Sequence, residues 1–270
     1  MSQQPRENPQ LPDHINNRNE HPLKDFLILA VAALLLISLL TWLVAASATW
    51  LAPNIPYQWE FSGSNSNSDL SAEEQALTSL LDKLLDDDAL PVQLHYLADE
   101  TSANAFATLG GHIFITRGLL ENIHSENGLA MVLAHEYAHI ELRHPMTLAL
   151  EQLSIGLLLS LMGSDNLAQS VSQNTSMLTV LSFSRDMERA ADQFALQRLR
   201  ATYGHTRGAD EFFNQIQQLE QQHSATDSGW LEFLQTHPLT STRINNIRQQ
   251  MSGGELTPIA HVLQKRSAEP

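Results

Sequence analysis

From Phe26 to Leu51 the chain carries no charged residue, and the only polar side chains are Ser38, Thr41, Ser47 and Thr49. A run of that length presents no polar face to water, whereas a helix built from it can cross the ~30 Å hydrocarbon layer of a bilayer. Trp42 and Trp50 lie toward one end of the run, where indole rings favour the membrane–water interface. Arg6, Arg18 and Lys24 precede the run, and the next basic residue after it is Lys83. That asymmetry places the N-terminus on the cytoplasmic side and the remainder of the chain on the other. The competing reading is a cleaved signal with Ala46-Ser47-Ala48 as its processing site, but signal cores typically run only ~7–15 apolar residues. The expectation is therefore one retained transmembrane helix over 23–51.

The flanking regions sort by composition. Residues 1–22 are rich in Asn, Gln and Pro and read as a disordered cytoplasmic tail. Pro53, Pro56 and the Ser, Gly and Asn of 62–68 read as part of a flexible linker over 52–70. Leu77, Leu80, Leu81, Leu84 and Leu85 recur on one side of a helix predicted over 71–87. Short strand patterns follow at 92–97, 104–108 and 112–116, separated by Asp99-Glu100 and Gly110-Gly111, and from about 118 the pattern is mainly helical. The fold class is thus α+β, mainly α-helical with a small sheet, over 71–252, and 253–270 reads as a poorly structured tail. A net charge of -15 argues against nucleic acid as a partner, and the absence of cysteine excludes disulfides, thiolate metal sites and cysteine nucleophiles. The sequence sets no oligomeric state.

Chemistry enters at His135-Glu136-Tyr137-Ala138-His139, inside the apolar-periodic stretch 126–142. On a helix the two histidines share a face, so both imidazoles can reach one zinc ion while Glu136 points at the water bound to it. Zinc acidifies that water and polarises a substrate carbonyl, and the carboxylate takes the water's proton and delivers it to the leaving amine. The neighbours Met131, Val132, Leu133, Ala134, Ala138 and Ile140 make the helix too apolar for a surface helix with two spare histidines.

A catalytic zinc usually takes three protein ligands. A metzincin would supply the third as His after Gly, but those positions here are Leu142 and Pro145. His144 falls out of register with His139, and Pro145 is expected to end the helix there. Glu188 is the better candidate: in Glu188-Arg189-Ala190-Ala191-Asp192 a second helix puts Glu188 and Asp192 on one face, with alanines permitting close approach, so that Glu188 binds zinc and Asp192 braces a ligand histidine. The alternative is an exposed helix face carrying Arg185 and Arg189 salt bridges.

With these motifs the chain resembles the gluzincin zinc metallopeptidases, the family that includes the heat-shock protease HtpX, the CAAX prenyl protease and periplasmic relatives. The resemblance spans roughly 71–250 and rests on Asn104-Ala105-Phe106-Ala107, Gly111 to Leu120, 135–139 with His144, 188–192, and His237-Pro238 with Arg243-Ile244. It implies a zincin-like domain acting on polypeptide substrates. It implies that Asn104, Ala105, Phe106 and Ala107 form an active-site edge strand binding substrate by strand addition, that His237 stabilises the oxyanion, and that Arg243 anchors the loop of His237. The implied function is cleavage of misfolded or membrane-proximal proteins in envelope quality control, by a single-pass protein of the bacterial inner membrane whose domain faces the periplasm. The alternative is a catalytically silent chaperone or scaffold on the same fold, against which intact Glu136 speaks.

Residues 146–162 are apolar enough to suggest a second span, but Glu151 and Gln152 interrupt them, and a crossing there would separate the histidines from Glu188. They are expected to form a helix near the cleft or on the membrane surface, with 163–183 as a mobile loop covering the cleft.

Overall fold

The structure is a computed structural model and describes residues 22–61, 70–161, 182–215, 236–238 and 240–264. The expected tail 1–22 and the covering loop 163–183 fall almost wholly outside these residues. The chain divides into two compact units, Met1–Ala45 and Ala46–Pro270. The first consists, where described, of most of helix α1 (Pro22–Leu51), which is long and apolar enough to cross a membrane and leaves all its leucines exposed.

The second unit begins with the end of α1 and two short 3-10 turns, Ala52–Asn54 and Tyr57–Trp59. The first half of the expected flexible linker is therefore folded. The Tyr57 hydroxyl donates to the Pro91 carbonyl at 2.6 Å, and Gly111 (φ 80) leaves room for Tyr57 and Phe61 where a Cβ would clash. Aromatic side chains among the prolines supply the packing that composition alone hides. Residues 62–69 lie outside the described chain.

Helix α2 (Ala72–Leu84) starts at a capping box in which Ser71 and Glu74 satisfy each other's backbone N–H groups. Its four leucines, Leu77, Leu80, Leu81 and Leu84, are buried. Strands β1 (Gln93–Leu97), β2 (Ala105–Thr108) and β3 (His112–Thr116) form one sheet in the order β1-β3-β2, with β1 parallel and β2 antiparallel to β3. The Phe106↔Phe114 register places the alternate residues Ala105, Ala107, Ile113 and Ile115 on the buried face.

After α3 (Arg117–Asn122), the central helix α4 (Glu126–Glu141) is buried from Asn127 to Ile140, capped at Ser125. It ends before the predicted stop. The chain reverses at Leu142 and Arg143, the latter at φ 61, and α5 (His144–Leu161) begins with Pro145 in its first turn, where its missing N–H costs nothing. Helices α6 (Arg185–Tyr203), α7 (Ser241–Gln250) and α8 (His261–Gln264) complete the described elements, with α6 packed along α4. The C-terminal stretch expected to be poorly structured is anchored: Ser125 and Pro258 form a bridge, Glu126 N–H donates to the Thr257 carbonyl at 2.9 Å, and Ile259 and Leu263 enter the core. Two apolar residues at helical spacing sufficed, too few for composition to reveal.

Candidate metal centre

Helix α4 places His135 and His139 one turn apart with their Nε2 atoms 3.1 Å from each other. Helix α6, opened by the Ser184 cap, brings Glu188 opposite them: one carboxylate oxygen lies 3.5 Å from His135 Nε2 and the other 3.5 Å from His139 Nε2. The exposed-face alternative for Glu188 fails, since its side chain is fully buried. Donors ~2.0–2.1 Å from a tetrahedral zinc stand about 3.3 Å apart, so these separations fit the edges of such a coordination shell. The charge balance points the same way: Glu136, Glu188 and Asp192 are buried together against one guanidinium, that of Arg243. Three carboxylates facing one fixed cation call for a further positive charge.

The surroundings hold these donors in place. The outer nitrogen of His135, Nδ1, lies 3.1 Å from Asp192, which receives two bonds of 2.8 Å from Arg243. Arg243 also pairs with Glu188 and donates to the Pro238 carbonyl at 3.2 Å, beside His237. The residues expected to brace His135 and the His237 loop are thus brought together. Sequence reasoning weighed His144 only as a ligand; the structure puts its Nδ1 3.0 Å from His139 Nδ1, the nitrogen facing away from Glu188. The reversal at Arg143, which brings His144 back over the helix end, leaves no signature in residue spacing. Phe183, also missed, lies on the His139 ring with centroids 3.8 Å apart.

His237 lies at the centre of the group, with Nδ1 3.0 Å from Glu188 and Nε2 3.6 Å from Glu136. His135, His139, Glu188 and His237 all present a ligand atom within 4.8 Å of one another, so His237 is also placed as a fourth donor. Burial raises the pKa of Glu136, opposed by the nearby His237 and His135 imidazoles and a backbone contact from Ala107. Burial likewise opposes ionisation of Glu188 and Asp192, yet the imidazoles of His237 and His135 hold Glu188 well below its usual range, and Arg243 with His135 does so for Asp192. Burial pulls His135 down, but the Asp192 and Glu188 carboxylates prevail and push it up to about 10, while burial and His135 keep His139 neutral.

Of the expected substrate strand, Ala105, Phe106 and Ala107 lie in β2, at the edge of the sheet among the described residues. Asn104 just precedes it, its backbone N–H donating to Thr116 Oγ1 at 2.9 Å. Helix α4 packs against β2, and the contact between Ala107 and Glu136 sets the strand beside the candidate base.

Two histidines one turn apart, a glutamate from a second helix and a second glutamate beside the first histidine define a metallopeptidase site of the gluzincin type. The chain belongs to peptidase family M48, whose profile matches residues 71–251. It is 30% identical over 166 residues to the mitochondrial metalloendopeptidase OMA1 of Saccharomyces cerevisiae, covering 59% of this chain and 47% of that protein. It is 27% identical over 168 residues to the beta-barrel assembly-enhancing protease of Escherichia coli, and 26% identical over 167 residues to the putative protein of that description in Vibrio cholerae, in both cases covering 57% of this chain and 34% of the relative. The chain therefore spans less than half the length of these relatives.

Proposed function

We propose that this chain is a membrane-anchored zinc metalloendopeptidase that cleaves misfolded or membrane-proximal polypeptides in envelope quality control. The observation that carries this reading is the convergence of His135, His139 and Glu188 within 3.5 Å contacts, with buried Glu136 beside them. Two imidazoles and a carboxylate suit zinc among the common divalent ions. Bound there, zinc supplies Lewis acidity toward a substrate carbonyl and lowers the pKa of water. The protein's part is proton transfer and positioning. Glu136 accepts a proton from the attacking water and passes it to the leaving amine nitrogen, a task for which a carboxylate with its pKa raised by burial is suited. Backbone groups of Asn104 to Ala107 hold an extended peptide by strand addition, a mode that reads main chain more than side chain. Asp192 and Arg243 keep His135 oriented, and His237 faces the oxyanion.

The relatives' printed names, a mitochondrial metalloendopeptidase and a beta-barrel assembly-enhancing protease, support membrane-proximal proteolysis. Helix α1 and the basic residues preceding it support a single-pass protein of the bacterial inner membrane with its domain in the periplasm. The test is metal analysis with casein cleavage for the wild type and Glu136→Gln. The variant is expected to keep its metal and lose roughly 10²–10⁴ in turnover, the usual contribution of a general base. Equal cleavage by both would remove Glu136 from the mechanism, and no cleavage by metal-loaded wild type would favour the chaperone or scaffold. Because His237 is also placed as a fourth donor, His237→Ala separates its roles: unchanged zinc affinity with lower turnover supports the oxyanion assignment, and weaker zinc binding the ligand one.

A further inference from the structure

We propose that Arg143 and Glu60 are positioning residues of the metal centre: the short segment 55–60 grips Arg143, and through that grip His144 is held against the outer nitrogen of His139. The backbone supplies the first observation. Arg143 has φ 61, a left-handed conformation that is costly for a residue with a Cβ and that glycine usually fills at helix ends. It joins two helices there. Its N–H donates to the Ile140 carbonyl of α4 at 3.0 Å, and its carbonyl accepts from the Thr147 N–H at 2.9 Å and the Thr147 hydroxyl at 3.0 Å in α5. A glycine would make the same reversal without strain, so what an arginine adds lies in its side chain.

That side chain is buried, although a guanidinium leaves water only where it is paired. It donates to the Ile55 carbonyl at 2.9 Å, pairs with Glu60 at 2.5 Å and lies over the Tyr57 ring, 5.3 Å from its centre. The segment that supplies these partners is itself fastened: the Tyr57 hydroxyl donates to the Pro91 carbonyl ahead of β1, and the Glu60 carboxylate accepts from the Gly110 N–H between β2 and β3. The grip on Arg143 is thus fixed to the sheet rather than to a loose stretch of chain. The next residue is His144, whose Nδ1 lies 3.0 Å from His139 Nδ1. A metal-ligating imidazole needs its second nitrogen engaged if its ring is to stay aimed at the ion. His135 has Asp192 for this, braced by Arg243; His139 has His144, braced by the turn at Arg143. Each ligand ring is therefore steadied at one remove by an arginine. Glu60 lies ahead of residues 71–251, the stretch that the family profile matches, so a residue outside that stretch enters the build of the metal centre.

This inference rests on zinc being held by His135, His139 and Glu188, as proposed above. Its test is the zinc affinity of the full-length protein, by competition with a chromogenic chelator, in Arg143→Gly, Glu60→Gln, His144→Ala and the double variant Arg143→Gly with His144→Ala. Glycine keeps the left-handed turn and removes only the grip, so Arg143→Gly decides the matter even where Glu60→Gln, which breaks a buried ion pair, fails to fold. The expected result is affinity about tenfold weaker in each single variant, with the double variant no weaker than His144→Ala, because both changes undo one contact. A merely structural role for Arg143 would not produce that lack of additivity. Wild-type affinity in Arg143→Gly would overturn the inference, since the turn alone would then place His144. A double variant weaker than His144→Ala, down to about a hundredfold below the wild type, would overturn it too, by showing that Arg143 acts on the site through some other contact. A wild type that takes up no zinc would remove the metal reading itself, and the positioning roles with it.

Discussion

Two pairs of imidazoles face each other in this protein at almost the same separation. His135 and His139 lie 3.1 Å apart on α4, and His95 and His112 2.9 Å apart across β1 and β3. Their surroundings differ in every respect that matters for a cation. The helical pair is buried, receives a third donor from Glu188, and has each outer nitrogen engaged, by Asp192 on one ring and His144 on the other. The sheet pair is half-buried and leans on Phe114, with ring centroids of His95 and Phe114 4.7 Å apart. The carboxylate nearest in effect to His95, Glu74, is already committed to the backbone N–H groups of Ser71 and Tyr96. Among the described residues only the helical group gathers three or more donors. Proximity of two histidines is therefore no metal site; a third donor and fixed outer nitrogens make one.

That contrast can be broken at its strongest point first. Asp192→Asn leaves all three donors in place but loosens His135, and zinc affinity measured by competition with a chromogenic chelator is expected to fall roughly 10- to 100-fold. His144→Ala frees only the far side of His139, and about a tenfold loss at the low end of that range is expected in the same assay. An unchanged affinity in both would mean that burial alone fixes the rings. Glu74→Gln tests the other pair's neighbour. Burial raises the Glu74 pKa, but the bonds from Ser71 and Tyr96 overcome it and hold the carboxyl low. A depressed carboxylate stabilises the fold above its unfolded pKa of about 4.3 and loses that contribution as pH falls through the folded value. The variant should thus be about 1 kcal/mol less stable to urea at pH 7, with the gap closing in acid. A gap that persists undiminished below pH 3 would contradict the sign. Smallest of all, replacing His95 and His112 together by alanine is expected to leave bound metal unchanged.

The same contrast shows how much of the protein was legible in its residues. The spacing of His135 and His139 sufficed because a helix maps sequence distance onto a face. Glu188 was a candidate on its helix face alone and became compelling only beside the other motifs, since nothing local dictates that α6 packs on α4. The contact of His144 with the outer nitrogen of His139 was not legible, because the left-handed backbone at Arg143, which turns the chain back, belongs to a residue type that rarely adopts it. The segment 52–61 was read as spacer because Pro53 and Pro56 lead into the Ser, Gly and Asn of 62–68, while its docking depends on Tyr57, Glu60 and Phe61 meeting partners far along the chain. The C-terminal stretch failed for the same reason, as Thr257 and Ile259 matter only through α4 and the core. Local periodicity was readable; contacts between distant segments were not.

The central claim is that side chains from two helices share a single ion. It is tested most directly by counting metal per chain in purified full-length protein by mass spectrometry, for the wild type, Glu188→Ala and the double His95, His112 alanine variant. The account predicts one zinc in the wild type and in the double variant, and none retained through gel filtration by Glu188→Ala. A full equivalent of zinc still bound after Glu188→Ala would contradict it.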